Sequence, residues 1–130
     1  MNIVDSSLWV EYFLEHDIDR TIIDVLKDAS KLYVPSICLY EVHKKFLSVN
    51  DIEKANLAVD IMQGAAVISV TPRIAILAAK LGKEHNLPLA DSIIYTIAKI
   101  YGAEIYTQDR HFENLEQVHY FAKDSSAVQS

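Results

Sequence analysis

Glycine and proline are scarce, three of each in 130 residues. All-β sandwiches and low-complexity linkers need many more turn-formers, so a helix-rich domain is expected. Cysteine is scarcer still. Cys38 stands alone and cannot form an internal disulfide, which points to a reducing compartment. No apolar run approaches the ~18 residues a membrane span requires. The opening MNIVDSS carries no basic segment followed by an apolar stretch, so no signal peptide is expected. These absences predict a soluble, cytoplasmic protein with no membrane partner.

Positive charge is also in short supply. Lys and Arg number 12 against 18 Asp and Glu, a formal net charge of −6. That argues against a protein holding nucleic acid through a general basic surface. It leaves room for a nuclease that brings its positive charge as bound metal. No GxGxxG or GxxxxGK[ST] occurs, so dinucleotide and P-loop nucleotide binding are unsupported. There is no GxSxG elbow. The five histidines show no HExxH and no Cys/His pairing, which speaks against zinc.

What is present is an ordinary globular composition, 51% apolar and 23% charged, of a length that suits one domain. Short apolar runs at Ile3-Val4, Leu32 to Val34, Val67 to Val70, Glu104 to Thr107 and Val118 to Phe121 have the character of buried parallel strands. Helical patterns fill the intervals: Ser7 to Glu15, Arg20 to Ala29, Ser36 to Val49, the stretch after Asn50-Asp51 to Met62, Pro72 to Glu84, and Asp91 to Tyr101. A further helix is expected between the last two strands. Strands alternating with helices imply crossover units, hence an α/β fold with a mainly parallel sheet covered on both faces. The domain is expected over residues 1–121, with a short polar tail over 122–130 that frays.

Four acids fall where open α/β sheets build their sites, outside the carboxyl ends of strands. Asp5 follows the first strand, Asp109 comes two residues after Thr107, Asp91 opens a helix, and Glu41 lies in the second turn of the helix after the second strand. Each has an ordinary explanation: the aspartates as helix N-caps, Glu41 as an i, i+4 partner of Lys45. Together they suggest more. Carboxylates gathered at the mouth of a buried sheet repel unless a cation sits among them, and a hard divalent ion with oxygen ligands relieves the repulsion.

At these residues the sequence resembles the PIN-domain ribonucleases, and within them the VapC-type toxins of toxin–antitoxin pairs. The matching pieces are Ile3-Val4-Asp5-Ser6-Ser7, Cys38-Leu39-Tyr40-Glu41-Val42, Leu89-Ala90-Asp91-Ser92-Ile93-Ile94 and Thr107-Gln108-Asp109-Arg110-His111-Phe112. The resemblance implies a three-layer α/β/α fold and an acidic pocket of Asp5, Glu41, Asp91 and Asp109 binding Mg²⁺ or Mn²⁺. It implies metal-dependent hydrolysis of RNA to 5′-phosphate products, with Ser6 and Thr107 as hydroxyl partners that orient the acids. It also implies an antitoxin protein partner and a homodimer. The family often has Thr-Asn after its first Asp; here Ser6-Ser7 keeps the hydroxyl and lacks the amide. Glu113 is the one acid near Asp109 and is not assigned to the pocket.

Other residues stay open between two roles. Lys44, Lys45, Arg73, Arg110 and His111 are candidates for the RNA backbone or solvated surface charges. Trp9, Tyr12 and Phe13 suit core packing or an antitoxin groove. The face of Ile74, Leu77, Ala78 and Leu81 suits core or a dimer surface. A receiver-like domain lacks its central-strand Asp and final Lys, and a haloacid-dehalogenase-type phosphatase would need Asp where Ser7 stands. The remaining rivals are a catalytically silent PIN-like module that binds RNA or protein, and an RNA-processing PIN nuclease without a toxin role.

Overall fold

The computed structural model describes residues 1–123. The expected polar tail lies, from residue 124 onward, outside the described residues. Five short strands and six helices alternate: β1 (Asn2–Val4), α1 (Ser6–Phe13), α2 (Arg20–Lys27), β2 (Tyr33–Pro35), α3 (Ser36–Ser48), α4 (Ile52–Met62), β3 (Ala66–Ile68), α5 (Pro72–His85), α6 (Leu89–Tyr101), β4 (Glu104–Thr107) and β5 (Val118–Tyr120). All the strand pairings are parallel: β1 with β4, β4 with β5, and β2 with β3. An isolated parallel bridge between Asn2 and Leu32 connects β1 to β2. The spatial order is therefore β3-β2-β1-β4-β5, an α/β arrangement with helices on both faces of the sheet.

Both chemistry and position explain the sheet centre. Ile3, Val4, Val34 and Ile105 are buried, as expected of strands covered on two faces. The helix of most consequence is α6. Every residue from Asp91 to Ala98 is buried, because the helix is enclosed by α5, α3 and β4. The hydroxyls of buried Ser92 and Thr96 are satisfied within the helix: Ser92 Oγ donates to Leu89 O and Thr96 Oγ1 to Ser92 O, each at 2.7 Å. Gly102 ends it at φ 64°, a left-handed conformation that favours glycine.

The aromatic cluster of α1 belongs to the core. Trp9 is buried and stacks on Phe13 at 5.7 Å between centroids, and Phe13 meets Phe46 of α3 edge-on at 6.4 Å. On α5, Ile74 and Ala78 are buried within the protomer, while Leu77 and Leu81 are partly covered.

Three boundaries differ from expectation. No helix joins β4 to β5; only one 3-10 turn, Arg110–Phe112, occurs there. Glu113, at φ −57° and ψ 133°, leaves helical geometry directly after the turn, and Asn114 at φ 71° and Gln117 at φ 65° are left-handed. The third strand ends at Ile68 rather than Val70. Its partner β2 runs out at Pro35, which has no N–H, and α3 starts at the next residue. The last helix begins at Leu89, so Asp91 is not its N-cap but lies in its first turn, behind Pro88. No helix among the described residues is long and apolar enough to cross a membrane.

Candidate active site

The site forms where β1 and β4 end side by side. Asp5 N donates to Tyr106 O at 2.9 Å, which continues the parallel ladder one residue past β1 and fixes the Asp5 backbone beside β4. The Asp5 side chain is only 4% exposed. Its Oδ1 accepts from Ser6 N at 2.7 Å, capping α1. Its Oδ2 accepts from Thr107 Oγ1 at 2.8 Å and from Ser7 Oγ at 3.3 Å. Thr107 is fully buried, and its hydroxyl also accepts from Asp109 N at 2.9 Å. One hydroxyl thus aligns two of the acids.

Ser6 connects a third. Its Oγ donates to Glu41 Oε1 at 2.7 Å, tying the start of α1 to α3. Among the described residues Glu41 makes no ion pair with Lys45, so its carboxylate is turned to the site rather than along its own helix. Asp91, 7% exposed, comes from the first turn of α6. Ligand atoms of Asp91, Asp109 and His111 all lie within 4.8 Å of one another. His111 Nδ1 is 2.7 Å from Asp109 Oδ1 and 3.5 Å from Asp91 Oδ2.

The electrostatics follow from this crowding. Burial pushes the Asp5 carboxyl up from 3.8 to about 6. The Thr107 and Ser6 hydrogen bonds hold it back, and the negative charges of Asp109 and Glu41 add to the rise. Asp91 is raised as well, first by burial, then by its hydrogen bond with Asp109, then by the charges of Asp5, Asp109 and Glu41. Asp109 moves the other way. Burial opposes its ionisation, but the hydrogen bonds from Asp91 and from the His111 backbone and ring outweigh it, so it is held below the usual carboxylate range. The two neighbouring carboxyls are thus pushed in opposite directions, Asp91 towards its neutral form and Asp109 towards its charged form.

The structure therefore brings all four expected acids, Asp5, Glu41, Asp91 and Asp109, into one electrostatic neighbourhood, with Ser6 and Thr107 hydrogen-bonded among them. The capping explanation also holds for Asp5 and for Asp109, whose Oδ1 accepts from His111 N at 2.9 Å. Capping alone does not explain why both carboxylates face two more. His111 is the residue that sequence reasoning assigned elsewhere. It is drawn in by the turn that Asp109 caps, and a His two residues after an Asp was the one available signal. Carboxylate oxygens dominate the donor set, which fits a hard divalent cation. The single imidazole is more congenial to Mn²⁺ than to Mg²⁺.

No curated protein matches the sequence significantly. Solved structures resemble the fold. A toxin–antitoxin complex from Klebsiella pneumoniae aligns with a TM-score of 0.74 at 18% identity, over 95% of this chain and 100% of that one. VapBC2 from Rickettsia felis, bound to a promoter DNA fragment, aligns at 0.72 and 15% identity, over 95% and 98%. The sarcin-ricin loop cleaving toxin VapC20 of Mycobacterium tuberculosis aligns at 0.69 and 15% identity, over 98% and 95%. The PIN-domain family model matches residues 3–118, which takes in all four acids, and the chain belongs to the PIN-domain family.

Proposed function

We propose that the protein is a metal-dependent endoribonuclease that hydrolyses RNA phosphodiester bonds in the cytoplasm, as the toxin of a toxin–antitoxin module. The observation that carries this reading is the cluster of four carboxylates in which Asp5 and Asp91 are buried and raised, first by burial and then by the negative charges around them. Such a cluster is costly without a cation and is suited to holding Mg²⁺ or Mn²⁺. In this reading Asp5, Asp91, Asp109 and Glu41 hold the ion, directly or through water. The chemistry a bound divalent ion supplies is a water of lowered pKa and neutralisation of charge developing on the phosphate.

The rest is the work of the chain. Thr107 and the Ser6 N–H fix both oxygens of Asp5, and the Ser6 hydroxyl fixes Glu41, so the carboxylates are oriented before a ligand arrives. Asp91, raised above the usual carboxylate range, would have to give up its proton to serve as a ligand, so ion affinity would rise with pH. The family membership supports a nuclease, and the toxin–antitoxin neighbours support a toxin with an antitoxin partner. A homodimer is part of the proposal. The surface it would use on α5 centres on Ile76, 75% exposed, and Leu77, rather than on Ile74 and Ala78, which the protomer itself buries.

The test is cleavage of 5′-labelled single-stranded RNA. Cleavage is expected with Mn²⁺ or Mg²⁺, giving 5′-phosphate ends, and none is expected in excess EDTA. Asp5→Asn is expected to lose roughly 100-fold or more, beyond the usual cost of removing a ligand's supporting partner. Undiminished cleavage in EDTA overturns the mechanism. Equal growth of strains expressing wild type and Asp91→Asn overturns the toxin role.

A further inference from the structure

We propose that Tyr40 is a stacking platform for an unpaired base of the RNA, placed beside the acidic site. The role of that RNA as substrate rests on the endoribonuclease reading; the binding itself does not. Tyr40 immediately precedes Glu41 on α3. While Glu41 turns to Ser6, Tyr40 stays 57% exposed, with Lys44 Nζ 5.5 Å from its ring centroid. A surface Tyr with a Lys four residues on is common in a helix. The ground on either side of it is what distinguishes this one.

Two depressions meet there. One, of about 280 Å³, is lined by Tyr40, Glu41, Lys44, Lys45 and Ser48. The other, of about 410 Å³, runs from Glu41 and Lys45 between Ser6 and Val10 of α1 to Lys123. Glu41 and Lys45 belong to both, so a single groove passes the acidic site with lysines along it. Lys44, Lys45 and Lys123 line this groove together with Glu11 and Glu41, so on a chain of net charge −6 the lysines outnumber the carboxylates along it and offer partners to a phosphate backbone. The Tyr40 end is lined by no Leu, Ile, Val, Met or Phe side chain, which suits a nucleotide better than the apolar face of a peptide helix. An exposed ring flanked by ammonium groups offers a π-face to a base and charge to its phosphates. Only an unpaired base presents a free face, since those of a duplex are stacked on one another.

The experiment measures binding of a fluorescein-labelled 12-nucleotide oligoadenylate by anisotropy, in EDTA so that no metal-dependent cleavage consumes the probe. Tyr40→Ala and Tyr40→Leu are expected to weaken binding roughly ten-fold, the size of one lost base–aromatic stack, and Tyr40→Phe by less than about two-fold. The same oligomer annealed to oligouridylate is expected to bind wild type and Tyr40→Ala equally. With Mn²⁺, Tyr40→Ala is expected to raise KM and leave kcat intact. Wild-type affinity in Tyr40→Ala overturns the proposal and leaves Tyr40 as a protein contact. Tyr40→Leu binding as well as Tyr40→Phe overturns it too, as does a wild type that binds no oligoadenylate. Tyr40-dependent binding without Mn²⁺-dependent cleavage leaves the stack standing and refutes the endoribonuclease reading. Mn²⁺-dependent cleavage with one KM for wild type and Tyr40→Ala does the reverse.

Discussion

Asp5 caps α1 with one oxygen and accepts Thr107 with the other, in a site that disfavours its charge. The sign of the resulting pH dependence is definite. A carboxyl whose folded value, about 6, lies above its ordinary 3.8 binds its proton more tightly in the fold. Its contribution to stability is fully present below about pH 4 and is lost as pH rises through 6, on the order of 3 kcal/mol at most. Asp91 shifts in the same direction and carries the loss to higher pH. Asp5→Asn keeps the shape and removes the charge. In EDTA its thermal midpoint at pH 8 is expected to equal or exceed that of wild type, with a shallower fall between pH 4 and 8. A lower midpoint at pH 8 would show that the hydrogen bonds of the carboxylate outweigh its repulsion.

The site depends on how α5 and α6 meet. A Cβ added at Gly82 would come 2.9 Å from Ser92 Cβ, next to Asp91, so the helices touch through a residue with no side chain. Gly→Ala inside a helix ordinarily stabilises by about 0.5–1 kcal/mol. Here overpacking should exceed that gain, and Gly82→Ala is expected to cost a net ~1 kcal/mol in urea denaturation and to reduce cleavage by displacing Asp91. At this scale the sequence was legible where periodicity is long or apolar runs are short and bounded. The six helices and five strands stand within a few residues of where their patterns put them. It was not legible where one tertiary contact decides. Asp91 reads as a cap, but Pro88 starts the helix. The Arg110–Phe112 segment reads as a helix, but extended Glu113 and left-handed Asn114 end it after one turn. Asp5 and Asp109 were visible because Asp just after a β-type run is a recognisable local pattern, and Glu41 and Asp91 because they stand early in helices within motifs that resemble the family's. The double role of Thr107 and the place of His111 were not, because they depend on strands 102 residues apart and on a turn's exact path.

For the whole molecule, the acidic centre on a net negative chain means that stability, ion binding and pH are coupled. Under the proposed metal dependence, Mn²⁺ would stabilise by mass action only to the extent that the carboxylates are ionised. Its effect on the thermal midpoint is therefore expected to be larger at pH 8 than at pH 5, and small at both in Asp5→Asn. A shift independent of pH would place the ion elsewhere. The parallel sheet has one more consequence. Its centre pairs β1, made of Asn2–Val4, with β4, made of Glu104–Thr107. A ribosome releases the first of these about a hundred residues before the second, Asp5 and Thr107 being 102 positions apart. A nascent chain consequently carries Asp5 without the hydroxyl that aims it until Thr107 has emerged and β4 has docked on β1, so the two oxygens of Asp5 are oriented only after that long-range pairing forms.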